Sequence, residues 1–294
     1  MEEEYIDIEN YFTEELYSKE HKKITKIQKN EKSNKRELLL FLLSLISSFD
    51  IVDGVLNIPQ NKIKEITKEI NAEIDRICSE EIINTTQETN DILIDTIDTG
   101  YNMNSYILSI GSDDYIPTIL DEDIKNNIMN EKIKGKNHED RISTNKTNLF
   151  DIIKSDINSF LLGIFTLDIL KTKLETNLDI NNYNTGRLIK DQISRKFNQM
   201  KIQWFNDNGI KKKKYNSVMC PTTCGVCAEM NGRIFNVNDN TIQIPRHVNC
   251  YCYWSTVVEN WNYDGKNPTW NDFLKWNKGR WCYAKWIYWF WWVL

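Results

Sequence analysis

Residues 60–78 read QNKIKEITKEINAEIDRIC, and the isoleucines in this stretch recur at intervals of three and four residues. These positions are Ile63, Ile66, Ile70, Ile74 and Ile77. Such spacing places them on one face of an α-helix, while lysines and glutamates cover the other faces. A similar pattern continues to Ile97, so the sequence predicts a long amphipathic helix with one buried stripe.

Helices are also predicted over residues 10–30, 34–48, 147–165, 166–178 and 185–208. The last of these should end at Asn208-Gly209, because glycine readily adopts the left-handed conformation that terminates helices. Between the helices we expect a break at 51–59, a turn region at 101–114 and an exposed loop at 131–146. The apolar run at 38–46 is too short to span a bilayer and indicates a core helix.

The composition suits a soluble protein with a buried core. The chain has 294 residues, is 40% hydrophobic and 27% charged, and carries a formal net charge of −5. This balance argues against a wholly basic nucleic-acid binder. The first residues, MEEEYIDIEN, lack the basic start and apolar run of a secretory signal, so we expect a reducing compartment. Clustered cysteines there are more often metal ligands than disulfides.

The composition changes near residue 200, since all ten tryptophans lie at or after Trp204. Residues 210–219 and 233–237 look extended, and Asn231-Gly232 is a hairpin signal. We therefore predict an α+β fold that is predominantly α-helical, with a helical body followed by a small β-hairpin module. The predicted regions are a helical N-terminal region at 1–145, a second region at 146–255 and an aromatic extension at 256–294.

Five potential metal ligands fall within 29 residues: Cys224, Cys227, His247, Cys250 and Cys252. Zn²⁺ commonly takes four Cys or His ligands, so the spacing predicts a zinc site. The preferred ligands are the four cysteines, with His247 as the substitute and Cys220 as a further candidate. Two disulfides, or thiols packed as small apolar groups, remain open alternatives. A structural zinc is favoured over a catalytic one, because Glu229 is the only acid within the motif.

The residues between the ligands extend the motif. Cys220-Pro-Thr-Thr-Cys224-Gly-Val-Cys227 precedes Asn231-Gly232 and Phe235, and Pro245-Arg-His247-Val-Asn-Cys250-Tyr-Cys252 follows. This order resembles the C-terminal motif of the phage Mu F-like and SPP1 gp7-like minor head (head morphogenesis) proteins, over roughly residues 150–255. The chain departs from the family at three places: Met230-Asn231-Gly232 stands for a Leu-Asp-Gly turn, Tyr251 replaces an arginine, and Asp191-Gln192 replaces a Thr-Glu pair.

The resemblance implies a structural protein of a tailed phage or prophage, without catalytic activity. Such proteins occur in few copies, associate with the portal protein and other capsid proteins at the capsid interior, and aid head assembly, DNA packaging or DNA delivery. The chain would pass through the host cytoplasm during assembly, and no membrane partner is expected. The competing hypotheses are a zinc-stabilised nucleic-acid-binding module and a zinc- or cysteine-dependent enzyme. The sequence has no Ser-His-Asp set, P-loop or HExxH motif, and His21 and His138 are expected to be isolated and exposed.

Two further features bear on partners. Nine basic residues lie between 187 and 214, against two acids: Arg187, Lys190, Arg195, Lys196, Lys201, Lys211, Lys212, Lys213 and Lys214. Such a stripe suits non-specific DNA contact, or else a solvated face. The aromatic tail at 281–294 is too short to span a bilayer. It suits burial against a partner, a membrane interface or an atypical chain end.

Overall fold

The computed structural model describes residues 2–217, 223–247, 249–258, 261–263 and 265–279. It confirms a predominantly helical α+β fold. The elements are α1 (Glu2–Ile46), β1 (Asp50–Val52), β2 (Val55–Asn57), α2 (Gln60–Ser109), α3 (Glu122–Met129), α4 (His138–Leu161), α5 (Leu167–Asp207), β3 (Lys212–Asn216), α6 (Gly225–Met230), β4 (Ile234–Asn236) and β5 (Tyr253–Thr256). Residues 270–279 are also helical. Among the described residues, no helix has the length and apolar content needed to cross a membrane.

The helices are longer than the sequence predicts. The predicted helices at 10–30 and 34–48 form the single helix α1, which ends at Ile46, and those at 166–178 and 185–208 form α5, Leu167–Asp207. Helix α2 continues through the predicted turn region to Ser109, where Tyr101 and Leu108, seven residues apart, are buried on one face. Gly209 follows α5 with a φ of 67°, as its predicted role at the helix end requires.

Two of the predicted irregular segments contain regular structure. The break at 51–59 holds a hairpin in which Val52 pairs with Val55 across Asp53-Gly54, and both turn residues have positive φ. The predicted loop at 131–146 is wrong from His138 onward, where α4 begins. Asn137 and Asp140 form a capping box that satisfies free backbone N–H groups and starts this helix.

The chain divides into two compact units, each assembled from separate segments. The first comprises the described residues of Met1–His21, Ile92–Asn130 and Lys190–Leu294, and the second comprises Lys22–Asp91 and Glu131–Ile189. Helices α1, α2 and α5 each contribute residues to both units. The units are made of separate segments, whereas the predicted regions 1–145, 146–255 and 256–294 are contiguous. The division into those three regions stays a prediction.

The core of the second unit is aliphatic and contains a buried ion cluster. Its apolar residues come from α1, α2, α4 and α5, and include Leu38, Leu42, Ile70, Ile74, Ile153, Ile157, Phe160 and Leu174. The Lys146 ammonium, 1% exposed, donates to Glu31 Oε1 at 2.5 Å and to Glu81 Oε2 at 2.9 Å. One lysine thus serves two buried carboxyl groups. His138 is also buried here, bonded to Asn90 Oδ1, so its predicted exposure is wrong.

The core of the first unit is built around aromatic rings and a second buried ion pair. The Glu9 and Lys201 side chains are both fully buried and in contact. Lys201 Nζ also donates to Asn104 Oδ1 at 2.8 Å, and Thr256 Oγ1 donates to Glu9 Oε1 at 2.9 Å. Burial lowers the pKa of Lys201 and the Glu9 carboxylate opposes that shift. His21 is half-buried in this unit, with its ring against Tyr251, instead of fully exposed.

Replacing Lys201 by methionine should destabilise the protein strongly. The change leaves the Glu9 carboxylate buried without its counter-charge, which costs about 3–5 kcal/mol. Urea denaturation followed by circular dichroism measures the loss. Adding Glu9→Gln to Lys201→Met should restore part of it, because the charge is removed. Lys19→Ala, which breaks the partly exposed pair with Glu15 and the contact over the Trp270 ring, should cost about 1–2 kcal/mol. Equal losses for Lys19→Ala and Lys201→Met would contradict this account.

Glu31→Gln should stabilise the protein at neutral pH. Burial raises the pKa of Glu31, although Lys146 counteracts the shift. A carboxyl group with a raised folded-state pKa favours folding below its unfolded pKa, and this contribution is lost as pH rises through the folded value. Glutamine removes that penalty, while Glu81 still pairs with Lys146. The advantage over wild type should vanish as pH falls below about 4. Glu65→Gln, an exposed change on α2, should show no such trend in urea titrations across pH.

Candidate metal centre

The C-terminal module is a small antiparallel sheet in the order β4-β3-β5. The predicted extended segments at 210–219 and 233–237 contain β3 and β4, which pair with Lys213 opposite Phe235. Asn231-Gly232 does not form the predicted hairpin turn between two strands. Helix α6 precedes it, Asn231 caps that helix, and Gly232, with φ of 80°, donates its N–H to Tyr215 O at 2.8 Å. The chain between β3 and β4 therefore carries a helix that presents the first cysteines.

The Cys-x2-Cys pair sits at the start of α6. Cys224 is the N-cap, and its Sγ accepts a hydrogen bond from the Cys227 backbone N–H at 3.4 Å. A helix N-terminus leaves backbone N–H groups free, so a sulfur at this position satisfies one of them. The same contact directs both sulfurs to one end of the helix.

The second half of the cluster lies on an irregular turn that leads into β5. Cys250 N donates to His247 O at 3.2 Å, and Asn249 has a positive φ of 60°. This conformation is uncommon for residues other than glycine, although asparagine tolerates it. It folds the chain back so that His247, Cys250 and Cys252 all approach α6.

The five predicted ligands lie together in two triads that share Cys227. One is Cys224, Cys227 and His247, and the other is Cys227, Cys250 and Cys252; within each triad the ligand atoms lie within 4.8 Å of one another. His247 Nε2 is 3.2 Å from Cys224 Sγ and 3.4 Å from Cys227 Sγ. Cys227 Sγ is 4.0 Å from Cys250 Sγ. Among the residues that the structure describes, all five cysteines are free, so the disulfide alternative is not supported.

The distances around Cys227 are of the size expected between ligands of one metal ion. For Zn²⁺ bonded to sulfur at about 2.3 Å and to nitrogen at about 2.0–2.1 Å, two sulfurs stand about 3.8 Å apart and a sulfur and nitrogen about 3.6 Å apart. The observed separations are close to these values on the edges that Cys227 shares with His247 and Cys250. The Cys and His groups are therefore close enough to hold a metal ion.

The thiols are electrostatically unequal. A hydrogen bond from Cys252 lowers the pKa of Cys250 to about 5, and the same contact raises the pKa of Cys252. The Cys227 backbone N–H lowers the pKa of Cys224, whereas burial raises the pKa of Cys227. Negative charge is thus favoured at both ends of the cluster, and thiolate is the form that ligates metals.

Tyr215 also contacts the Cys/His cluster, although the sequence does not predict this contact. Its hydroxyl donates to Cys227 Sγ at 3.4 Å, and its ring packs edge-on against Trp254 at 5.6 Å. A tyrosine at the end of a lysine run gives no local signal of such a role. The contact arises because β3 is the central strand and turns Tyr215 toward α6.

The predicted basic stripe is discontinuous. Lys196, Lys201 and Lys213 are buried, and each ammonium is held by carbonyl or carboxylate oxygens inside the protein. These three lysines cannot contact DNA, because their ammonium groups are buried and bonded to groups inside the protein. Arg187, Lys211 and Lys212 are exposed, and Lys190, Arg195 and Lys214 are half-buried. DNA contact stays a prediction for these six residues.

Cys220 and the tail at 281–294 lie outside the described residues.

Comparison with known proteins found no match: no family model, curated protein or solved structure is significantly similar to the chain.

Replacing Cys227 by serine should abolish stoichiometric binding of a divalent metal, because this sulfur belongs to both triads. The measurement is a titration of the reduced protein with Zn²⁺ in competition with a chromophoric chelator. Cys78→Ser is the matched control, since Cys78 is a free buried cysteine outside the cluster. Wild-type metal affinity in Cys227→Ser, or equal losses in both variants, would contradict a site at this cluster.

Proposed function

We propose that the cluster holds a structural Zn²⁺ ion and that the chain is a non-catalytic structural component of a phage head, of the minor head protein type. The observation that carries the first part is the convergence of all five predicted ligands around Cys227. The second part rests on the resemblance of the residues around those ligands to the minor head motif. A geometric observation supports the second part: the described residues of the motif lie in one small sheet and its helix α6.

The proposed ligands are Cys224, Cys227, His247 and Cys250. His247 Nε2 is close to the first two sulfurs, and Cys250 Sγ is 4.0 Å from Cys227 Sγ. The Cys252 thiol interacts with Cys250, Tyr215 and Cys227, and its hydrogen bond to Cys250 lowers the pKa of Cys250, which makes Cys250 the better thiolate ligand. This set replaces the all-cysteine set preferred from the sequence.

The proposed ligand set predicts different results for two serine variants. In the Zn²⁺ titration, Cys252→Ser should retain stoichiometric binding and Cys250→Ser should not.

A structural role follows from the number of ligands. A catalytic zinc keeps one coordination position open for water or substrate. The two triads offer five donor groups in all, four of them thiols, and Cys227 and Cys250 are buried. A thiol-rich set with one donor more than Zn²⁺ takes favours a metal that pins the backbone over one that activates water. Bound zinc would supply cross-linking of α6 to the turn before β5, and no chemical step.

The basic residues favour a second candidate, a zinc-stabilised module that binds nucleic acid. Its support is limited to the exposed and half-buried cations, because Lys196, Lys201 and Lys213 are buried. Lys211 and Lys212 are adjacent and exposed at the start of β3. Non-specific contact with packaged DNA is compatible with a head protein, so the two proposals overlap at this surface.

The head-protein proposal predicts that the chain is present in phage particles released from cells that encode it. Density-banded, nuclease-treated particles are analysed by quantitative mass spectrometry. We expect a few copies per particle, and at least tenfold fewer for Cys227→Ser, because the unpinned module cannot dock. Cys78→Ser should be incorporated normally. Absence of the wild-type chain from particles would refute this role. Tight binding of the purified protein to DNA, lost in a Lys211→Ser/Lys212→Ser variant, would then favour the nucleic-acid module.

A further inference from the structure

Cys224 is the most exposed of the described cysteines in the Cys/His cluster. It is partly exposed, whereas Cys227, Cys250 and Cys252 are 1%, 4% and 4% exposed. The two residues that follow Cys224 in the chain are exposed as well. Because oxidation of cysteine depends on the access of the oxidant to the sulfur, a dissolved oxidant reaches Cys224 first.

The thiol placed to react next is that of Cys227. Both sulfurs belong to the triad with His247, in which the ligand atoms lie within 4.8 Å of one another. Cys250 and Cys252 form the other triad, which does not include Cys224. The Cys227 backbone N–H donates to Cys224 Sγ at 3.4 Å and keeps the two residues in one turn. A disulfide needs a separation of about 2.05 Å, which small rotations of two neighbouring side chains can reach.

A disulfide between Cys224 and Cys227 would dismantle the proposed metal site. Structural Zn²⁺ takes four ligands, and thiolates, not disulfide sulfurs, supply them. The disulfide would remove two of the four proposed ligands, and both lie at the start of α6. The donors that remain, His247, Cys250 and Cys252, all lie on the turn before β5. No metal ligand would then connect α6 to that turn.

We propose that the Cys/His cluster is an oxidation switch. A hydroperoxide converts Cys224 and Cys227 into a disulfide, which expels the metal ion and releases α6 from the turn at His247. The inference rests on the proposed metal site and does not depend on the head-protein role.

The reaction has two steps and consumes one hydroperoxide. The Cys224 thiolate attacks the terminal peroxide oxygen, the O–O bond breaks, and the sulfur becomes a sulfenic acid. The Cys227 thiolate then attacks the Cys224 sulfur, the S–S bond forms, and the sulfenic oxygen leaves as hydroxide. Each leaving hydroxide or alkoxide takes a proton from solvent. The two sulfurs lose two electrons and the peroxide gains them, so hydrogen peroxide yields two water molecules.

The test uses the full chain, loaded with Zn²⁺ and treated with hydrogen peroxide. A chromophoric chelator reports the released metal, and mass spectrometry of peptides, after free thiols are blocked, identifies the linked cysteines. We expect release of about one zinc ion per chain together with a Cys224–Cys227 disulfide. Dithiothreitol with added Zn²⁺ should reverse both changes. Cys78→Ser, which changes a cysteine outside the cluster, should release zinc within about twofold of the wild-type rate.

Two variants test which sulfurs react. Cys252→Ser should still form the Cys224–Cys227 disulfide, whereas a link made by the second triad would be altered. Cys224→Ser and wild type are compared as metal-free, reduced proteins, so that metal affinity plays no part. Oxidation of Cys227 should be at least about tenfold slower in Cys224→Ser, because Cys227 is buried.

Hydrogen exchange measures the release of α6. Its amide protons, Gly225–Met230, should exchange at least about tenfold faster in the oxidised protein than in the zinc-loaded protein. Reduction in the presence of Zn²⁺ should restore the slower exchange.

The outcomes separate the switch from the metal site. Wild-type protein that binds no Zn²⁺ before oxidation would refute the metal site, and the switch with it. Protein that binds Zn²⁺ but retains it in peroxide, with its thiols intact, would overturn the switch alone. A disulfide from Cys227 to another cysteine, or unchanged exchange in α6 after the metal has left, would also overturn the switch.

Discussion

The Glu9 carboxylate is fully buried, and a buried charge is stable only when protein groups replace the water that it loses. Its partners come from distant parts of the chain. Lys201 on α5 supplies the counter-charge, and Ser255 and Thr256 on β5 donate hydroxyl hydrogen bonds. Lys201 is itself completed by Asn104 on α2. A single acid on α1 therefore fixes two other helices and a strand, and small displacements of any of them would leave charge unpaired.

This constraint extends to the Cys/His cluster through β5. Cys250 and Cys252 immediately precede that strand, so anchoring β5 also places their sulfurs. Asn198 on α5 reinforces the placement, because its amide donates to Cys252 O at 3.3 Å and accepts from Trp254 N at 2.9 Å. On the other side, β3 pairs with β5 and carries Tyr215 to Cys227. The helical scaffold thus brings the second half of the cluster to the first half.

The sequence predicts those features that depend on neighbouring residues. Isoleucine spacing places α2, and the Cys-x2-Cys spacing identifies the sulfurs at the start of α6, because both are local patterns. The approach of His247 to Cys224 is not predictable in this way, since it depends on the backbone at Asn249 and on pairing within the sheet. The burial of two lysines is not predictable for the same reason. Lys146 and Lys201 resemble surface residues until their acids, 115 and 192 positions away, are brought beside them.

The elements of the C-terminal module are too short to be stable in isolation, so their order depends on contacts outside each element. Its strands are three to five residues long, and α6 has six residues, well below the length at which an isolated helix is stable. Strands β3 and β5 are nevertheless secured, because Tyr215, Tyr253 and Trp254 are buried in the first unit. Helix α6 and the turn at His247 have less such support, since α6 buries Cys227 and Met230 and the His247 side chain is exposed. A metal shared between them would contribute its binding free energy to that region. The ion pair and the aromatic core thus hold the sheet, and the proposed metal ligands lie on the loops that extend from it.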